Sequence, residues 1–180
     1  MLTRAPQRPQ ALQEDTMDAL RAVSLMAATV SMGLVAGVFG LYAHTIMPGL
    51  GKTDDRTFVG AFQSIDRAII NPWFIGGGFF GALVFAILAA IAQIGRDGLP
   101  WIVAALVLYL VAFVITIAIN VPLNNGIKAA GDPDRIADLA AVRARFNEAR
   151  WTSWNLVRVV ASNIAFGLLA WALVLHGRST

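Results

Sequence analysis

Residues 98–127 read GLPWIVAALVLYLVAFVITIAINVPLNNGI, thirty residues without a charge. At 1.5 Å per residue, roughly 20 apolar helical residues cross about 30 Å of hydrocarbon, so this stretch is long enough to span a bilayer. Three more charge-free stretches lie outward from it, at residues 22–51, 68–95 and 159–177, with His176 the only titratable group in the last. The whole chain agrees with them. Of its 180 residues 57% are hydrophobic and 14% charged, with mean hydropathy +0.65, against roughly 25% charged residues in soluble domains.

The pattern predicts an all-α, integral membrane four-helix bundle with spans near residues 20–47, 73–95, 100–123 and 151–176. Residues 1–19 read as a polar N-terminal tail rather than a cleaved signal peptide, because no basic flank leads directly into a short apolar core. Residues 177–180 form a short C-terminal tail. Gly95, Gly98 and Pro100 make a tight turn between the second and third spans. The other two connections carry helical spacing of their own, Phe58, Phe62, Ile65 and Ile69 in one and Ile136, Leu139, Val142 and Phe146 in the other. They predict amphipathic helices near 55–70 and 133–149, lying across one end of the bundle. Asp132 and Pro133 supply a cap and a first-turn proline for the second.

The net charge of +3 comes from scattered basic residues that never form a run, so nucleic acid is excluded as a partner and the lipid bilayer expected. With no cysteine, disulfide and thiolate chemistry are excluded as well. The positive-inside rule does not decide the orientation. Arg4, Arg8, Arg21, Arg96 and Arg178 on the side of the termini are matched in density by Lys52, Arg56, Arg67, Lys128, Arg135, Arg143, Arg145 and Arg150 on the other. The simpler insertion leaves the polar tail on the cytoplasmic side of the plasma (inner) membrane.

Polar groups are costly in lipid, so the informative residues are those inside the spans. Arg158 lies about two turns into the fourth span, where it costs on the order of 3 kcal/mol unless it snorkels or finds a partner. Trp151, Trp154, Asn155, Arg158 and Ser162 recur at helical spacing around it. An interfacial tryptophan belt with a snorkelling arginine is the plain reading; Asn155 argues for an interior site. His44 follows Gly40, Gly37 and Gly33 by four, seven and eleven residues, which predicts that it shares a close-packed, inward face. It is either a structural histidine or a proton-transfer group. Tyr109, Phe113, Thr116 and Asn120 make a stripe on the third span, followed by Asn124. Asn120 is either a site residue or hydrogen-bonding glue between helices. Gln63, Asp66 and Asn71 close the first connection and admit capping and turn chemistry as well as a site role.

The topology gathers His44, Asn71, Asn120, Asn124, Trp151, Trp154, Asn155 and Arg158 at one end, predicting a single polar pocket roofed by the amphipathic helices. One histidine there is too few for zinc, non-haem iron or bis-histidine haem, so no metal and no cofactor are expected. Phosphate-loop, dinucleotide and nucleophile-elbow motifs do not occur.

Phe62-Gln63 with Ile65, Asn71-Pro72, Asn120-Val121-Pro122-Leu123-Asn124, Trp151, Trp154-Asn155 and Arg158 resemble the motif pattern of the anthrone oxygenases, a family of small four-span membrane proteins. The resemblance runs from the first span to the fourth. It implies a monooxygenase-type oxidoreductase that converts polyketide anthrones to anthraquinones with no evident cofactor motif. An anthrone has an acidic methylene whose enolate can pass an electron to O2 unaided. On that reading His44 takes the proton, Arg158 and Asn155 hold the enolate, and Trp151 and Trp154 stack on the rings. Asn120, Asn124, Gln63, Asn71 and Tyr109 complete the substrate site. The alternative is a non-catalytic bundle binding a lipid, a quinone-like molecule or a partner protein. The glycine pairs Gly33/Gly37 and Gly77/Gly81 would suit a homo-oligomer.

Overall fold

The structure is a computed structural model that describes residues 8–178. Expectations for residues 1–7 and 179–180 lie outside the described residues. The first span is one rod over Leu12–Leu50, built from α1 (Arg8–Leu41), a π-helical turn (Tyr42–Ile46) and α2 (Met47–Leu50). α3 (Asp55–Ile69) crosses the end of the bundle. The second span is a π-helical segment (Trp73–Phe80) continued by α4 (Gly81–Ala92). The third is α5 (Leu99–Ile115), a π-helical turn (Thr116–Asn120) and α6 (Val121–Ala129). After a 3-10 turn at Pro133–Arg135 come α7 (Leu139–Phe146) and the long α8 (Glu148–Arg178). No strand occurs among the described residues, and the protein is a helical membrane protein.

The spans close in the order α1, α4, α5, α8, with α8 returning to α1. Each turns a narrow face inward. On α1 that face is Leu25, Ala28, Met32, Val35 and Phe39; on α4 it is Ala82, Ala86 and Ala89; on α8 it is Ala161, Ala165, Leu169 and Ala172. The alanines let backbones approach closely where no hydrophobic effect drives association. Outward, Val107, Val111, Val114 and Ile117 leave an exposed apolar stripe on the third span, which only lipid can solvate. At the end holding the termini, buried Gln93 meets His176 at 3.3 Å, and Asp18 bridges Arg21 and Arg96.

Three boundaries differ from the expectation. The segment expected as a tail is already helical at Arg8, the first described residue, and continuous with the span. The third span runs on to Ala129, which puts Asn124 and Lys128 on helix rather than loop. The expected 133–149 helix is broken: Asp132 caps only the short 3-10 turn, Asp138 caps α7, and Asn147 ends α7 in the left-handed region at φ 55°. A short asparagine tolerates that conformation and stops the helix.

α3 and α7 form the roof. Asp54 caps α3 through Thr57, whose hydroxyl and amide hold the Asp54 carboxyl below the usual carboxylate range. Arg143 of α7 donates to Asp55 and to the Thr53 carbonyl, both at 3.0 Å, and lies over the Phe58 ring. Beneath, Phe58, Phe62, Phe146 and Trp151 pack ring against ring at 4.5–6.4 Å.

Candidate functional site

Three of the four spans are π-helical at the roofed end. In the first and third, a proline follows one residue after the π turn, at Pro48 and Pro122. Proline has no N–H and its ring crowds the carbonyl four residues back, so the ladder opens. The Met47 amide reaches the Tyr42 carbonyl and the Val121 amide that of Thr116, each five residues back. In the second span Gly76, Gly77 and Gly78 carry the wide turn, and Asn71 caps it by accepting from the Phe74 amide at 2.9 Å. Wide turns of this kind cluster at functional sites.

Between these turns lies a cavity of about 240 Å³. For scale, a void of about 150 Å³ takes a single benzene ring. Phe39, Ile69, Phe74, Ile75 and Phe79 supply apolar walls. Ile70, Phe80 and Ile117 line it and are about half exposed on the outer surface, which puts the mouth on the side of the bundle between the second and third spans.

The polar lining includes Tyr42, Asp66, Thr116, Asn120, Asn124, Asn125, Lys128 and Arg158. Arg158 is 4% exposed. Its guanidinium donates to Asn155 Oδ1 at 2.8 Å and Thr116 Oγ1 at 3.1 Å and lies 4.2 Å from the Phe39 ring centre. No carboxylate pairs with it among the described residues, and its Nε has no partner there. Asn120, 1% exposed, donates to the Trp151 carbonyl at 3.3 Å, while its Oδ1 is unpartnered. A second chain of contacts crosses the cavity wall. Trp151 Nε1 donates to Asn124 Oδ1 at 2.7 Å, Asn124 Nδ2 donates to Asp66 Oδ1 at 2.6 Å, and Asp66 Oδ2 pairs with Lys128 Nζ at 2.6 Å.

Of the residues expected at the site, Arg158, Asn120, Asn124 and Trp151 meet here. Asn155 stands behind the guanidinium and donates to the Phe39 carbonyl at 3.1 Å, so it positions Arg158 rather than lining the cavity. Tyr109 is buried behind the wall with its hydroxyl on the Phe79 carbonyl at 2.6 Å. Gln63 is a brace, tying α3 to the Ile127 and Gly131 carbonyls, and Asn71 is a cap.

His44 and Trp154 do not face the cavity. His44 is exposed, and its Nδ1 shares a hydrogen bond with the Thr45 hydroxyl at 2.6 Å. The inward face of α1 is the bulky one that ends in Phe39 and Tyr42, while a Cβ on Gly37 or Gly40 would meet open space. His44 follows those glycines outward. The glycine pairs also split: Gly33 abuts Phe166 and Gly81 abuts Ser31, whereas Gly37 and Gly77 are open.

Sequence reasoning missed Tyr42 and Lys128 as cavity residues, named Thr116 only as part of a stripe, and left Asp66 between turn chemistry and a site role. Asp66 was signalled by its place four and eight residues after Phe62 and Phe58, on the apolar face of α3.

The sequence model of anthrone oxygenases matches residues 71–168, more than half of the chain. The chain belongs to the anthrone oxygenase family. No curated protein and no solved structure matches it. The part shared with other anthrone oxygenases contains the π-helical segments of the second and third spans together with Asn120, Asn124, Trp151, Asn155 and Arg158. Tyr42 of the first span and Asp66 of α3, which also line the cavity of this anthrone oxygenase-family chain, lie before the match.

Proposed function

We propose that the protein oxidises an acidic aromatic ketone of the anthrone type with O2 in this cavity. The observation that carries the reading is Arg158: a buried guanidinium without a carboxylate partner, with one N–H unused, facing an apolar chamber. A buried charge is strongly disfavoured unless compensated. An enolate oxygen would supply that compensation, and its negative charge develops as the methylene C–H breaks, so Arg158 would stabilise the transition state more than the neutral ketone.

The electron count then closes without an added redox group. The methylene proton goes to a base and its electron pair to the enolate. The enolate gives one electron to O2, and the resulting pair of radicals joins through a C–O bond. The peroxide takes up a proton, then loses the second hydrogen of the carbon as water and leaves a carbonyl. One O2 supplies the new carbonyl oxygen and the oxygen of the water. Trp151 and the phenylalanine walls would hold the flat rings. The mouth on the outer surface would admit an apolar substrate and O2 from the bilayer, where both concentrate.

The test is O2 uptake by the detergent-purified chain with anthrone, beside Arg158→Gln. Loss of about 10²–10³-fold in turnover is expected for removal of one preorganised anion-holding group; turnover equal to the parent protein sinks the proposal. A second reading, a non-catalytic binder of a quinone-like molecule, is favoured by the side opening alone. It predicts saturable binding of anthraquinone without O2 uptake. We also infer an inner-membrane setting with cytoplasmic termini and no nucleic-acid partner.

A further inference from the structure

Asp66 is a carboxylate in the wrong place for an amphipathic helix. It lies on the apolar face of α3, 5% exposed, and opens onto the cavity. Arg158 and Asp66 line the same chamber yet do not pair with each other; Asp66 takes Lys128 instead. The carboxylate is held at two points. Asn124 donates to Oδ1 and Lys128 forms an ion pair with Oδ2, which accepts no hydrogen bond, while Trp151 fixes Asn124. A carboxylate has about four lone-pair sites, so each oxygen keeps acceptor capacity after these contacts. The chamber therefore holds an oriented acceptor and, separately, an unpaired cation.

We propose that Asp66 is the general base, a role the exposed His44 does not fill. The inference rests on the reading of the cavity as an enolising site. The substrate's C–H breaks, its proton bonds to an Asp66 oxygen, and its electron pair moves into the enolate whose oxygen faces Arg158. Lys128 pairs with Asp66 and Asn124 aims it, and the same proton later returns to the peroxide.

Exchange separates this step from oxidation. The full-length chain in detergent is mixed with anthrone in deuterated buffer under argon, and loss of the methylene proton signal is followed by NMR. Asp66→Asn alone would strand Lys128, so the variant is Asp66→Asn with Lys128→Met, which removes both charges together. The parent protein is expected to accelerate exchange over buffer, and the double variant to lose about 10²–10⁴-fold of that acceleration, the range of general base catalysis. Quenching of tryptophan fluorescence by anthraquinone should persist, reporting an intact cavity. Asp66→Glu, which keeps both charge and pair, should recover part of the exchange.

Undiminished exchange in the double variant overturns Asp66 and leaves the enolising site standing. Loss of exchange in Asp66→Glu to the level of the double variant, with quenching intact, also overturns it. A parent protein that exchanges but takes up no O2 removes the oxygenase reading and keeps Asp66. No acceleration in the parent protein removes both.

Discussion

Trp151 and Trp154 stand three residues apart on α8, which leaves them about 60° short of a full turn. That offset separates them. Trp151 is buried and donates to Asn124, whereas Trp154 is 38% exposed. Trp151→Phe keeps the ring and removes the N–H, stranding Asn124 Oδ1 beside the cavity; an unsatisfied buried acceptor costs about 1–3 kcal/mol. Trp154→Phe should stay within about 0.5 kcal/mol. Thermal unfolding in detergent measures both, and equal losses would refute the assignment. At this scale the sequence was legible where a residue's cost in lipid is unambiguous, as for Arg158 and Asn120. It was not legible where only the facing direction mattered. A glycine stripe marks either close packing or an open surface, and on α1 the core is filled by Met32, Val35 and Phe39 instead, so His44 was assigned to the wrong side.

At the scale of elements, the π-helical turns do what the spacing could not announce. Counting residues by 3.6 per turn runs through Thr116–Asn120 without a mark, although one extra residue in a turn shifts everything beyond it by about 100°. The prolines were the available signal. Pro122→Ala restores an amide N–H and removes the clash with the carbonyl of Ala118, so the turn can close to α-helix. α6 would then rotate, taking Asn124 away from Trp151 and Lys128 away from Asp66. The expected result is a melting temperature at or above that of the parent protein with anthraquinone quenching weakened at least tenfold. Unchanged quenching would show that the π turn does not set the site. The broken second roof helix has a similar lesson: Ile136, Leu139, Val142 and Phe146 keep helical spacing, yet Asp138 and Asn147, a cap and a stop, confine the helix to eight residues.

For the whole molecule, four charge-free stretches were enough to give the bundle, because lipid leaves the backbone of a span no alternative to helix. They also placed the polar end, since two roof connections on one side gather what lies beneath them. Which side of the membrane that end faces follows from charge density, and the two sides are nearly balanced. The absence of native cysteine makes a direct reading simple. Ser64 on the roof and Asp97 in the tight turn are both exposed and stand at opposite ends of the bundle. With cytoplasmic termini, Ser64→Cys in intact cells should react with an impermeant maleimide, and Asp97→Cys only after the membrane is opened. The reverse pattern inverts the protein and moves the cavity to the inner leaflet, with its side mouth still in lipid. Labelling of both from the same side would break the four-span topology, and with it the argument that brings Arg158 and Asp66 to one chamber.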